Sequence, residues 1–412
     1  MNRRIFLRNS ALAMIGIGAA PLWLRRAVAA ERPARRGKVL VAVFQRGAAD
    51  GLNIVVPFGE ASYYAMRPGI SVPAPSRAAA PTAATIDLDG FFGLHPALAP
   101  LKAIYDARHL AIVHAAGSPD PTRSHFDAQD YMESGTPGLK STPGGWLNRC
   151  LTPEAQPSPV RAVALGFSLP RALRGSNSAI AVSRLDGFRV TNSAVRPEFE
   201  SMYRDAEDAR LRSTGTGAFE AIALLDALRK KPYAPASGAV YPPGRFGESM
   251  RQIAQLIKAD AGLEVAFADI GGWDHHVNEA GANGAEGQLA NLLADFARTL
   301  AAFRLDLGDR IEDVVLVTMS EFGRTARENG TRGTDHGHAN VMFVMGGAVN
   351  GGKVYGHWPG LLPEQLYEGR DLNVTTDFRD VLGEVISKQL GNQDMETVFP
   401  GYKGGPYRGV LT

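Results

Sequence analysis

One cysteine, Cys150, is all the thiol chemistry in these 412 residues, and one cysteine closes no internal disulfide. It sits in the apolar stretch Trp146-Leu147-Asn148-Arg149-Cys150-Leu151, with no catalytic-cysteine signature around it. A free thiol in that setting packs as a small hydrophobe. Charge of one sign is also scarce. Lys and Arg number 44 against 42 Asp and Glu, a net of +2, which argues against a nucleic-acid-binding surface. The basic cluster Arg32, Arg35, Arg36 and Lys38 reads as a solvated lead-in. Long hydrophobic runs are missing as well. The run from Ser10 to Leu24 is shorter than the ~20 residues a membrane-spanning helix needs, and no later segment is apolar enough to span a bilayer. There is no internal repeat.

What is present begins with an address. Arg3-Arg4 stand just before Ile5-Phe6-Leu7, the modest apolar run follows, and Ala27-Val28-Ala29 supplies a small-x-small cleavage site. This pattern predicts a twin-arginine signal over residues 1–30, removed on export to the periplasm or beyond. The twin-arginine translocase is then the export partner, and the cargo travels folded.

The remaining chain alternates strand-like and helix-like segments. Lys38 to Phe44 is a continuous apolar run, as a strand buried on both faces requires. Further strands are expected over Leu110–Ala115, Val160–Leu165, Ala179–Val182, Glu264–Asp269, Asp313–Met319 and Val341–Met345. Helices are expected over Pro96–Arg108, from near Ser124, over much of 195–260, and over Ala285–Leu305 and Asp377–Leu390. Residues 68–86, rich in Pro, Ala and Ser, read as a surface loop. The alternation predicts an α/β fold with a mostly parallel central sheet flanked by helices. Residues 31–412 read as one domain with a helical, cap-like insertion around 190–260.

In such sheets ligands bind beyond the carboxyl ends of the strands. There the chain places Asp50, then Gly271-Gly272-Trp273-Asp274-His275-His276, then Ser320-Glu321-Phe322-Gly323-Arg324-Thr325. Gly333-Thr334-Asp335-His336-Gly337-His338 stands just ahead of another strand. Carboxylates and imidazoles in this mixture suit a divalent ion with N and O ligands, such as Zn, Mn or Ca. The metal candidates are Asp50, Asp274, His276, Glu321, Asp335, His336 and His338. Four of them have a plainer alternative: a turn cap for Asp50 or Asp274, an ion pair for Glu321 with Arg324, a neighbouring imidazole for His338. His95, His109, His114 and His357 read as structural. The pairs Gly346-Gly347 and Gly351-Gly352 lack the Lys-Ser/Thr of a phosphate loop and read as tight turns.

Several of these segments carry a resemblance. Arg46-Gly47-Ala48-Ala49-Asp50-Gly51-Leu52-Asn53, Arg123-Ser124-His125-Phe126-Asp127-Ala128-Gln129, Gly271-Gly272-Trp273-Asp274, Ser320 to Thr325, Gly333 to Gly337 and Gly346 to Gly352 resemble the landmarks of DUF1501 proteins. The likeness runs from about residue 38 to 390. Its members are similar to the alkaline phosphatase and sulfatase superfamily, whose metal-bound hydrolases cleave phosphate or sulfate esters. The resemblance implies an alkaline-phosphatase-like fold, with Asp50 as first metal-binding Asp, Asp274 and His276 as the next group, and Asp335 and His336 as the last. Phe322 stands where that superfamily has a second His, and His275 intervenes where DUF1501 proteins have Asp-Thr-His, so one metal site is implied more firmly than two.

The nucleophile is open between Ser124, Thr122 and water, with metal, His125 or Arg123 as activator. Arg123 or Arg324 would offset developing charge. The expected function is metal-dependent hydrolysis of a small anionic ester. The alternatives are a non-catalytic exported binding or assembly module on the same fold, and transfer or isomerisation on the same scaffold.

Overall fold

The computed structural model describes residues 37–76, 84–154, 157–190, 196–230, 232–281 and 283–412. The expected export signal, Arg32, Arg35 and Arg36 lie outside these residues, as does part of the 68–86 loop.

The strands are β1 (Val39–Gln45), β2 (Val55–Val56), β3 (Ile86–Asp87), β4 (Gly93–Leu94), β5 (Leu110–Gly117) and β6 (Ala162–Ala164). They continue with β7 (Ile180–Ala181), β8 (Val265–Ile270), β9 (Val314–Ser320), β10 (Asn340–Gly346), β11 (Lys353–Tyr355) and β12 (Thr376–Asp377). The longer helices are α1 (Ala99–Asp106), α2 (His125–Ser134), α3 (Arg196–Arg204), α4 (Ala209–Arg229), α5 (Arg245–Lys258), α6 (Gln288–Leu307) and α7 (Phe378–Val385).

The main sheet runs β11-β5-β10-β9-β1-β8-β6-β7, with β12 also paired to β5. β1 lies at its middle, parallel to β8 on one side and β9 on the other. All seven of its residues are buried, which is why its sequence is apolar without alternation. Val39, Val41 and Val43 face one core, against α1, α5 and α6; Leu40, Ala42 and Phe44 face the other, against α7 and the short helix Trp146–Arg149. The expected architecture, a mostly parallel sheet covered on both sides, is the one observed.

Two features were not visible in advance. β10 pairs antiparallel with both β5 and β9. Its apolar run has the same composition in either direction, so pattern alone does not orient it. A second sheet, β2-β4-β3, is built from two-residue strands too short to show a period. Boundaries also moved for stated reasons. α6 begins at Gln288 because Gly287, at φ 114°, breaks the run before it. The expected helix over Pro96–Arg108 opens as a 3-10 turn before α1.

The sheet sets the stage for the site. Gln45 of β1 is level with Ile270 of β8 and Ser320 of β9, so three loops leave one edge side by side. β10 starts at that same edge because it runs the other way, which brings residues 333–338 to it. β5 ends there too and leads into α2.

Candidate metal centre

Four side chains meet at this edge. His276 Nε2 lies 3.0 Å from His336 Nε2 and 3.0 Å from Asp274 Oδ1. His336 Nε2 is 3.2 Å from Asp274 Oδ1, and His125 Nε2 is 3.4 Å from Asp274 Oδ2. His125, Asp274 and His336 each offer a donor atom within 4.8 Å of the others, the spacing of a group that could hold a metal ion.

Each residue arrives by a local device. His125 is the first residue of α2, directly after the loop from β5. Asp274 and His276 follow Trp273, whose buried indole donates to Ile270 O at 2.9 Å and packs edge-on against Phe296 of α6. That anchor sets where the 271–276 loop turns. The loop then lies so close to β1's exit that a Cβ on Gly47 would stand 2.7 Å from Asp274 N; Gly47 also has φ 119°. Gly333 is required in the same way, since a Cβ there would meet the His276 carbonyl at 2.3 Å.

The other ring nitrogens decide the chemistry. His125 Nδ1 meets Glu321 Oε1 at 2.8 Å, His276 Nδ1 meets Asp335 Oδ1 at 3.1 Å, and His336 Nδ1 meets the Arg123 carbonyl at 2.9 Å. All three partners accept, so each Nδ1 donates to its partner, and each Nε2 is the ring atom turned toward Asp274, with a lone pair to offer when the ring is neutral. His125 Nε2 is buried and has no hydrogen-bond partner. The His276 and His336 Nε2 atoms, 3.0 Å apart, are close enough to share a proton or a cation. Phe322, itself buried, packs 5.1 Å from the His125 ring and 5.0 Å from the His336 ring, a floor under both. Asp274 and His276 keep side-chain exposures of 45% and 41%, so the cluster is open to solvent on one side.

Charge follows contact. Burial would raise the Asp274 carboxyl, but the Arg324 guanidinium outweighs it and holds it below the usual carboxylate range. Burial likewise works against ionised Glu321, and its bonds from His125, Gln129 and Gly47 win, keeping it ionised. That carboxylate raises the His125 imidazole, whereas burial lowers the His336 imidazole.

The remaining expected site residues are placed as follows. Glu321 and Asp335 stand behind His125 and His276 rather than at the centre, as their orienting partners. Asp50 does not join the cluster. Its carboxylate is wholly buried and pairs through both oxygens with the Arg67 guanidinium. Glu279 lies against it, and burial together with the Asp50 charge pushes the Glu279 carboxyl well above its usual value, so it holds its proton. His338 is also elsewhere: its Nε2 donates to Ser118 O at 3.0 Å and its ring packs on Tyr367.

Arg324 is buried, and its donors go to the Ala48, Gly47, Thr334 and Trp273 carbonyls and to Asp274 Oδ1 at 2.6 Å. It positions Asp274 and ties the loops together. Its committed donors leave it a holding role in place of the expected contact with a substrate. The Arg123 guanidinium is likewise bound to Asp371 and Glu368; it is the residue's carbonyl that serves the cluster. Ser124 is exposed, directly before His125, and Thr122 Oγ1 accepts from Ser124 N at 3.3 Å.

His125 is the ligand-type residue that sequence reasoning placed in another role, as a neighbour of Ser124. Its signal was there: a His at the exit of a predicted strand, like the others.

Residues 110–407 match the model of DUF1501, described as a protein of unknown function. No curated protein is similar enough to match the chain. Among solved structures it is distantly similar to PsFucS1 sulfatase from Pseudoalteromonas sp., at TM-score 0.36 and 12% identity over 93% of this chain and 75% of that one. The phosphonate monoester hydrolase SpPMH from Silicibacter pomeroyi aligns at TM-score 0.37 and 10% identity over 90% and 77%. The lipoteichoic acid synthase LtaP from Listeria monocytogenes aligns at TM-score 0.29 and 9% identity over 76% and 66%. These likenesses are too remote to carry a function.

Proposed function

Since the chain belongs to the DUF1501 family, whose description assigns no function, we propose from its own residues that it is a metal-dependent hydrolase of phosphate or sulfate esters on an alkaline-phosphatase-like scaffold. The observation that carries this reading is the convergence of three imidazole Nε2 atoms on the Asp274 carboxylate, each ring locked by an acceptor at Nδ1. The donor set fits a first-row dication. A tetrahedral ion with bonds of about 2.0–2.1 Å has ligand atoms roughly 3.3 Å apart. The spacings of 3.0 and 3.2 Å from Asp274 Oδ1 to His276 and His336, and of 3.4 Å from Asp274 Oδ2 to His125, are of that size. Nitrogen donors favour Zn or Mn over Ca.

A bound ion would supply Lewis-acid polarisation of a non-bridging ester oxygen and a lowered pKa for the attacking group. The chain's own residues do the rest. Glu321, Asp335 and the Arg123 carbonyl hold the three rings, and Arg324 holds Asp274. Ser124, exposed beside His125, is the favoured nucleophile; Thr122 and water are the alternatives. The ester class rests on the motif resemblance around Asp50, Ser124, Asp274, Glu321 and His336. Export by the twin-arginine pathway and a periplasmic location belong to the same reading, and rest on Arg3-Arg4 and the run after them. So do the single domain and its helical cap, where α3 and α4 lie.

One observation favours a second reading. Four protein ligands can close a metal site, as in structural centres that do no chemistry. The chain would then be an exported binding or assembly module.

The deciding experiment is elemental analysis of the exported protein and of an Asp274→Ala, His276→Ala double variant, followed by turnover of phosphate and sulfate monoesters with Ser124→Ala beside the wild type. One metal per chain, lost in the double variant, with ester cleavage that falls at least ~100-fold in Ser124→Ala, is the expected result. Folded wild type without metal sinks the proposal. Metal without cleavage moves the protein to the second reading.

A further inference from the structure

Beside the metal cluster lies a cavity of about 320 Å³, walled by Arg46, Gln129, Gly166, Phe167, Arg245 and Asp269 among others. It opens at the same sheet edge, past the ends of β1, β6 and β8. Gln129 joins it to the cluster. This residue stands one helical turn after His125 on α2, so the two share a face. Both donate to Glu321 Oε1, His125 at 2.8 Å and Gln129 at 2.9 Å. The cavity is therefore one shared carboxylate away from a ring of the centre.

Its walls are unusual for a hole in an α/β core. Arg46 is held flat by Asp269, Gln129 and Glu133 at 2.8–3.0 Å, with its guanidinium over Phe44. At the mouth, the Arg245 guanidinium lies 5.4 Å over the Phe167 ring and 3.2 Å from Asp269. Phe167 is 85% exposed, a large apolar ring left in water at the entrance. Exposed apolar residues occur singly elsewhere on this surface, Phe126 among them, but Phe167 stands at a pocket mouth with Arg245 over its ring, the setting in which an aromatic anchors a ligand.

The chemistry selects the occupant. The two guanidinium groups of the wall are answered by Asp269 beside them and by Glu133, which pairs with Arg46 from behind the wall, so the cavity offers little surplus charge to a second anionic group. What it offers is a set of fixed planar donors and acceptors beside an aromatic face. A polyhydroxylated ring matches this: its hydroxyls both donate and accept, and its C–H face stacks on an aromatic ring. The volume is at the small end of ligand pockets, which run roughly 300–1,000 Å³, so the cavity itself holds one ring.

We propose that this cavity is a subsite for a single saccharide-type ring, the alcohol portion of the ester whose acid portion goes to the metal cluster. The second half rests on the hydrolase reading; the first does not. Phe167 would stack on the ring, and Arg245, Asp269 and Gln129 would bond its hydroxyls.

The test separates the two halves. Saturation-transfer NMR with free hexoses as probes is run on the full chain after metal removal, for wild type, Phe167→Ala and, as a control, Phe126→Ala, which is 89% exposed and outside the cavity walls. Phe167 is exposed enough that its truncation leaves the fold intact. Transfer in wild type and Phe126→Ala, reduced several-fold in Phe167→Ala, is expected. No transfer from any hexose, or transfer indifferent to Phe167, overturns the subsite whatever the enzyme does. With metal restored, the ratio of kcat/KM for a hexose 6-phosphate to that for phenyl phosphate should fall about 10-fold or more in Phe167→Ala. A fall equal for both esters would mean that the cavity takes any ring, and would overturn the saccharide assignment. Hexose binding without any hydrolysis would keep the subsite and remove the ester.

Discussion

Two polar clusters sit under the same sheet edge, each with an arginine on its aspartate, and they differ in what else faces the carboxylate. In the first, Asp50 is paired by the Arg67 guanidinium, and Glu279 beside it keeps its proton. Arg67 is itself satisfied by Asn53 and the carbonyls of Thr325 and Ala326. The cluster is buried. In the second, Asp274 has Arg324 on one oxygen, and the Nε2 atoms of His125, His276 and His336 face its carboxylate. A buried carboxylate must be neutralised or paired. The first cluster does this with a residue of the chain. In the second, Asp274 is half-exposed, is paired with Arg324, and also faces imidazole nitrogens, the donor set that the proposed function assigns to a metal ion. The chemistry a carboxylate serves thus depends on what reaches it, and a guanidinium that takes both oxygens, as Arg67 does at Asp50, removes it from metal binding.

The largest effect should come from breaking the closed cluster. Arg67→Ala leaves Asp50 buried without a partner, a change that costs about 3–5 kcal/mol. Urea unfolding should show that loss. If the variant instead keeps its stability and gains a second metal, detected by elemental analysis, the two clusters are interchangeable and the distinction fails.

The open cluster gives the next effect. Zn²⁺ added at a hundred times its dissociation constant should stabilise the folded chain by about 2.7 kcal/mol. In His125→Ala that gain should shrink or vanish, because one Nε2 donor is gone. A thermal shift as large in the variant as in the wild type would remove His125 from the ligand set.

The smallest effect sharpens the comparison through pH. Glu279 is held protonated in the folded chain, its carboxyl raised by burial and by Asp50, while the unfolded chain releases that proton near the ordinary value of 4.5. The folded state then binds more protons than the unfolded one, so stability falls as pH rises above that value and is fully present below it. Glu279→Gln keeps the shape and removes the titration. Its stability should decline less over the same rise in pH, in denaturation run at several pH values. Equal slopes for the two proteins would mean that Glu279 is already ionised, and that the closed cluster carries charge it does not answer.

Much of this was legible in the chain. The run Val39 to Phe44 announces a central strand, because a strand covered on both faces has no polar positions to alternate. Glycine-bearing loops mark the strand ends, and Gly47 and Gly333 prove to be where loops touch. The candidates Asp274, His276 and His336 do meet. Asp50 carried the same signal and does not, since Arg67 takes its carboxylate. His125 carried a weaker one and does. Glu321 and Asp335 are near their expected places but one bond farther out, and nothing in a sequence separates a residue that points at a centre from one that points at its neighbour.

The sequence by itself determined the local things: which segments are strands or helices, where each strand ends, and which reactive residue types follow it. These depend on side chains a few positions apart, whose spacing is written directly in the chain. The tertiary structure alone decided strand order, the reversed direction of β10, and so which loops share an edge. It also decided which carboxylate met a guanidinium and which met three imidazoles. Those outcomes depend on groups tens to hundreds of residues apart brought within about 3 Å, a hydrogen-bond length, and only the packed sheet sets such distances.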